Sequence, residues 1–230
     1  MCPSRGREHS GGRVIILSVW WFYTIVLGMA FGQVARNLAL QVKDARLHPQ
    51  RQGHLPTILW EIFLLLLIVQ VWVAVTYYRE TLDVLPVLEF AAFLVVPIGI
   101  FLLATILSDN EIDGDEIAGD EIAEGDPDGA PESTGVVSAP LDPQERAFTR
   151  LRPVFFGVLI AMIAVNIVHS LARGDLAMDI DLYAQVVLIL GAVLGLFLRS
   201  RRADGLLALA MIATVIAYIA LAYSEVSVSM

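Results

Sequence analysis

The side chains best able to do chemistry in this chain are few, and they sit inside apolar sequence. Asn166, His169 and Arg173 follow one another at i, i+3 and i+7, a spacing that puts them on one face of a helix. Glu89 and Gln185 fall at similar depth near the starts of two other apolar segments. A carboxylate facing an imidazole can accept and pass a proton, and the five groups together can line a polar vestibule on one side of a membrane. Each also lies within about two helical turns of a segment end. The plainer alternative is therefore that each reaches the interface along its own stem or pairs locally, as Glu89 could with Arg79. Glu61 and Arg36 lie toward the opposite side. Gln33, Arg36 and Asn37 share a face, which marks where the first segment leaves lipid and continues as an amphipathic helix toward Leu47. Gln70 is the most central polar side chain of the second segment, where a single amide predicts an interhelical hydrogen bond.

Several chemistries are excluded by what these residues are set in. Lys43 is the only lysine and is read as a loop residue, and no Gly-Lys-Ser/Thr run exists for a phosphate-binding loop. Cys2 is the only cysteine, so an internal disulfide or a cysteine-based zinc or iron–sulfur site is out of reach. GxSxG, HExxH and a glycine-rich dinucleotide fingerprint are missing. Asp109, Glu111, Asp113 and Gly114 match the first positions of a calcium loop, but Asp120 stands where the bidentate glutamate belongs. His48 and His54 have neither helical spacing nor a nearby cysteine. The expectation is no metal, no cofactor and no enzyme. With no basic stripe interleaved with aromatics, nucleic acid is not expected as a partner either.

The elements that must hold these groups follow from composition. Of 230 residues, 57% are hydrophobic and 17% charged, with mean hydropathy +0.70. Water-soluble domains sit nearer about 45–50% apolar and about 25% charged, so lipid is the expected solvent for most of the chain. Six apolar runs, 14–40, 57–78, 84–107, 154–171, 182–198 and 206–223, are each long enough to cross a hydrocarbon core of about 30 Å. Backbone amides in lipid must be satisfied within the segment, which predicts helices, and runs such as Leu64 to Val69 lack the alternation of a barrel strand. Arg5, Arg7 and Arg13 precede the first run, but it is too long for a signal peptide and is expected to stay as a span. Pro56, Pro86 and Pro153 sit where helices start, whereas Pro97, close to Gly99, predicts a kink inside the third. Gly28 and Gly32, Gly191 and Gly195, and the stripe Ala210, Ala213, Ala217 and Ala220 predict close helix approach, within the chain or in a homo-oligomer. Trp20, Trp21, Trp60, Tyr77, Tyr78, Tyr183 and Tyr223 read as interfacial belts, and Trp72 as a bundle residue.

The chain divides into three spans over 14–107, an acidic segment over 108–150, and three spans over 151–223. Thirteen of the 24 acids lie between Asp109 and Glu145, with no Lys or Arg among them, so the net charge of −9 belongs to that segment. Single-sign charge with many Gly and Pro predicts disorder there, and a site for a protein partner. Ten of the 15 basic residues flank the loops after spans one, three and five, which predicts that those loops are cytoplasmic and both termini outside.

Trp20-Trp21 with Gly28 and Gly32, a basic first loop, Gln70-Val71-Trp72, Glu89, Pro97, and a variable loop before Arg152-Pro153 occur in that order. In this the chain resembles a set of uncharacterised multi-pass inner-membrane proteins of bacteria. The resemblance implies an inner-membrane location and carries no activity. The sequence thus predicts an all-α, six-helix membrane bundle in the lipid bilayer. Its expected role is structural or signalling, with a small transporter or channel built on Glu89 and His169 as the alternative.

Overall fold

A computed structural model describes residues 9–47, 55–81, 87–108, 143–173, 180–198 and 200–222. These residues form six α-helices and no strand. They are α1 (His9–Leu47), α2 (Leu55–Thr81), α3 (Val87–Ser108), α4 (Pro143–Arg173), α5 (Ile180–Phe197) and α6 (Arg201–Ala222). All six are long and apolar enough to cross a membrane, as expected of an all-α multi-pass membrane protein. The acidic stretch 109–142, with its calcium-loop-like start, lies outside the described residues, as do His48, His54 and Pro86.

In space the helices run α1, α3, α4, α5, α6, α2 and back to α1, so they close a ring, with α2 also touching α3. Each helix turns one stripe inward. On α1 the stripe is Tyr23, Leu27, Ala30, Val34 and, two turns further on, Gln41. On α2 it is Trp60, Leu64, Leu67, Ile68 and Val75, with Thr57 and Glu61 in the same register. Residues three, four and seven apart share a helical face, so the polar members at the stripe ends are carried inward by the apolar ones. Outside the stripes, large apolar side chains face outward, Leu190, Val168 and Leu206 among them, which suits a lipid solvent.

The core is unevenly placed along the ring. Apart from Tyr23, the large fully buried side chains come from late α1 and α3 and early α2 and α4, with early α6 and the last half of α5 completing the core there. At that end Trp60 packs edge-on against Phe63, Phe155 and Phe156 with ring centroids 5.2–5.6 Å apart, and Phe155 meets Phe156 at 5.4 Å. A second aromatic contact ties α1 to α3, where Tyr23 and Trp20 meet Phe93 at 4.6 and 5.5 Å. At the other end, late α4 and early α5 show Val168, Leu171, Tyr183, Val186 and Val187 outward.

Several helix limits differ from the sequence expectation, and each difference has a cause. α1 runs unbroken to Leu47, as the amphipathic continuation anticipated, so Lys43 is on an exposed helical turn and not in a loop. α4 begins at Pro143, inside the stretch read as acidic loop. Pro143 therefore takes the first helical position, where a missing N–H costs nothing, and Pro153 is internal to the helix. α6 begins at Arg201, a turn and a half ahead of its apolar run, because Asp204 belongs to the buried stripe Leu207, Ala208, Met211 and Val215. α3 continues through Pro97, and just beyond it the helix passes close to α4: a Cβ on Gly99 would lie 3.2 Å from Met162 Sδ.

The glycine and alanine motifs separate into two kinds. Gly195 is essential to packing, since a Cβ there would lie 2.4 Å from the Phe156 ring, and one on Gly191 would lie 3.2 Å from Met211. A Cβ on Gly28 or Gly32 would meet nothing within 4 Å, and Ala210, Ala213, Ala217 and Ala220 are exposed. Those two stripes face away from the chain's own helices. The tryptophans also exchange places relative to expectation. Trp60 is fully buried, whereas Trp72, expected inside the bundle, is 55% exposed. Trp60 is covered by Phe63, Phe155 and Phe156, whereas Trp72, four residues after Ile68 and three before Val75, lies at the edge of the same stripe.

Candidate functional site

The polar groups buried in the described bundle converge at one end, the end of the loops after helices one, three and five. They form two knots joined by neighbouring residues of α2.

The first knot is built on Arg152. Its apolar neighbours Phe155 and Phe156 turn early α4 inward and bring the guanidinium to the α5–α6 junction. One terminal nitrogen donates to Asp204 Oδ1 at 2.5 Å, with the two side chains 12% and 7% exposed. Nε donates to the carbonyl of Gly195 at 2.9 Å. Gly195 lies in the last turn of α5, where carbonyls have no partner within the helix and carry the negative end of its dipole. Asp204 lies in the first turn of α6, at the positive end of that dipole. One cation thus ties the end of one helix to the start of the next. Backbone bonds from Leu198 N to Leu194 O at 3.1 Å and from Asp204 N to Ser200 O at 2.9 Å hold the short turn between them. The Phe156 ring, one turn on from Arg152, lies 5.5 Å below the guanidinium carbon. Trp60 Nε1 donates a longer bond to Asp204 Oδ2 at 3.4 Å and brings α2 into the knot.

The second knot joins α1 to α2. Gln41 Nε2 donates to Glu61 Oε1 at 2.7 Å. Glu61 is fully buried and Gln41 nearly so. The remaining oxygens, Gln41 Oε1 and Glu61 Oε2, are buried without a donor. At the same end Gln33 Nε2 donates to the hydroxyl of Ser108, which itself donates to the Thr105 carbonyl at 3.0 Å, so α1 is also tied to the end of α3. Arg36, expected on the same face as Gln33 and Asn37, is exposed, while those two are half-buried.

The residues singled out from sequence as a vestibule lie at the opposite end. Asn166 is exposed and His169 half-buried on late α4. Gln185 is half-buried on early α5, with its Oε1 buried and without a donor. Glu89 and Arg173 are on α3 and α4, and their side chains lie outside the described residues, as does that of Arg79. No contact brings Asn166, His169 and Gln185 together among the described residues. Gln70 is half-buried. No group of three His, Cys, Asp or Glu side chains able to hold a metal occurs among the described residues.

Gln41, Asp204 and the inward role of Arg152 are what sequence reasoning missed. Arg152 reads as a loop charge when the helix is started at Val154, and Asp204 drops out when the last helix is started at Leu206. The available signal was register. Asp204 is three, four and seven residues before Leu207, Ala208 and Met211, and Gln41 is seven after Val34. No protein family, no curated protein and no solved structure matches this chain.

Proposed function

We propose that this multi-pass membrane protein is non-enzymatic and acts as a structural or signalling component through partners. In this reading it sits in a bacterial inner membrane. The Arg152 end and the acidic segment 108–150 face the cytoplasm, and both termini lie outside. The observation that carries the reading is how the buried Arg152–Asp204 pair is used. It bonds helix to helix, and charged groups held this way fix a shape and are withdrawn from binding a passing solute. Orientation rests on the ten basic residues around loops one, three and five. Arg152 loses weight in that count because it is engaged inside the bundle, and the other nine keep the same sign.

Two experiments test this. In spheroplasts of a Cys2→Ser background, an impermeant maleimide labels Ser224→Cys directly and Ser200→Cys only after the membrane is opened. The reverse pattern overturns the orientation. In native membranes, a photo-crosslinker placed at Ser138, outside the deleted stretch, gives a discrete adduct that disappears when Asp109 to Glu132 is deleted. An unchanged adduct pattern overturns the acidic segment as the partner site. A second reading, a small transporter or channel working on the face of Glu89, Asn166, His169, Arg173 and Gln185, is favoured by the buried, donorless Oε1 of Gln185. Proteoliposome flux abolished by both Glu89→Gln and His169→Ala would establish it in place of the first.

A further inference from the structure

We infer that Gln41 and Glu61 form a buried binding site for one small monovalent cation, a proton or a sodium ion, between α1 and α2. The inference goes beyond the proposed role and does not rest on it. It starts from an imbalance of donors and acceptors. A carboxylate only accepts hydrogen bonds, and a glutamine amide offers two donors and one oxygen. The single bond from Gln41 Nε2 to Glu61 Oε1, at 2.7 Å, leaves Glu61 Oε2 and Gln41 Oε1 facing a buried environment with no donor for either. Turning the amide over does not help, because it would set two oxygens 2.7 Å apart.

Among the described side chains, no fixed charge supplies the missing partner. On α1, Arg36, Lys43 and Arg46 are exposed. On α6, Arg201 and Arg202 are exposed and Asp204 is held by Arg152 and Trp60. On α3, no Asp, Glu, Lys, Arg or His follows Glu89, which lies at the far end of the helix. On α2 itself the polar neighbour on the same stripe is Thr57, one turn earlier and buried. An acidic side chain with no exposed surface and a second buried oxygen beside it is costly in lipid or protein unless something positive sits between them. Full burial decides the size. A side chain with no exposed surface leaves no room beside it for an organic ammonium, which restricts the occupant to a proton or a bare small ion.

Both ions satisfy the same two atoms. A proton on Glu61 Oε2 would be donated to Gln41 Oε1 and complete a two-bond acid–amide pair. A sodium ion would draw both oxygens as ligands, as hard cations do. The test uses the full-length protein in phosphatidylcholine nanodiscs, with radiolabelled sodium as one probe and infrared spectroscopy at neutral pH as the other. Saturable sodium binding, unaffected by choline and lost in Glu61→Gln, identifies sodium. No sodium binding, together with the carbonyl band of a protonated carboxylic acid that vanishes in Glu61→Gln, identifies the proton. Neither signal in the wild-type protein overturns the site. Glu61→Gln is expected to fold, because two amides can close the same pair of bonds without a cation. Gln41→Leu serves as the second variant. It keeps the carboxylate but removes one oxygen, and is expected to weaken sodium binding at least tenfold or to displace the carbonyl band. If Gln41→Leu leaves whichever signal is found unchanged, Gln41 is no part of a site and the inference fails.

Discussion

The two ends of this bundle use similar residues to opposite effect. At one end Arg152, Asp204, Glu61, Gln41 and Trp60 are inside, bonded across four helices and packed against three phenylalanines. At the other, Asn166 is exposed, His169 and Gln185 are half-buried, and large apolar residues such as Tyr183 and Val186 face outward. Polarity alone does not distinguish them. What differs is what packs around them: at the first end the polar residues continue buried apolar stripes into an aromatic cluster, whereas Asn166, seven residues after Leu159 and three after Ile163, keeps the register of that stripe and is exposed where the core ends. The first end is built to hold a shape; the second is where the chain has polar groups left over.

The sharpest way to break the comparison is to remove one partner of the buried pair. Asp204→Ala leaves the Arg152 guanidinium buried without its counter-ion. Such losses cost about 3–5 kcal/mol, whereas replacing both charges with apolar residues of similar size is often neutral. Asp204→Ala is therefore expected to lower bundle stability by that amount, read by denaturant titration in bicelles. The double variant Arg152→Met with Asp204→Leu is expected to recover most of it. A small effect of the single variant would mean that this end is not locked. Next in size is Gly195→Ala. Its Cβ would drive into a Phe156 ring held by Trp60, Phe155 and Arg152, and overpacking of this kind costs about 1–3 kcal/mol. Gly28→Ala and Gly32→Ala, which meet nothing, are expected to stay within about 0.5 kcal/mol in the same titration. Equal costs at all three positions would erase the distinction between the inward and outward glycine motifs.

The tryptophans give a finer contrast. Trp60→Phe keeps the ring contacts but removes the N–H that reaches Asp204 at 3.4 Å, a neutral donor on a charged acceptor at long range. A net hydrogen bond contributes about 0.5–1.5 kcal/mol, and the length of this one favours the lower figure. Trp72→Phe, on the outer face, is expected to cost less than Trp60→Phe.

Much of this architecture was legible before any coordinates. Apolar runs of spanning length fixed six helices, and the cost of unsatisfied amides in lipid fixed their type. The polar end was not legible, for a specific reason. Hydropathy begins a helix where the apolar run begins, so it discards the first turn and a half of α6 and the first eleven residues of α4, and with them Asp204 and Arg152. In lipid, those end turns are where a charge can be paired at least cost, and they are what hydropathy is least able to see. Outward glycines misled for a related reason, since GxxxG spacing reports a face on which backbones can approach and says nothing of which helix takes it.

The smallest effect concerns Gln185, and its sign carries information. Its Oε1 is buried with no donor, so the native protein has withdrawn that atom from water without a hydrogen bond in return. Replacing it with leucine removes no bond within the described chain and removes a desolvated polar atom. Where no partner is lost, such a change is near neutral or stabilising. Gln185→Leu is therefore expected to leave stability unchanged or raise it by up to about 1 kcal/mol, in contrast to every substitution at the locked end. A loss of more than about 1 kcal/mol would show that Oε1 does have a partner when the protein sits in its membrane. The leftover polarity of this end would then be a working surface, and the transporter or channel reading would gain what it lacks, a bound species at the vestibule.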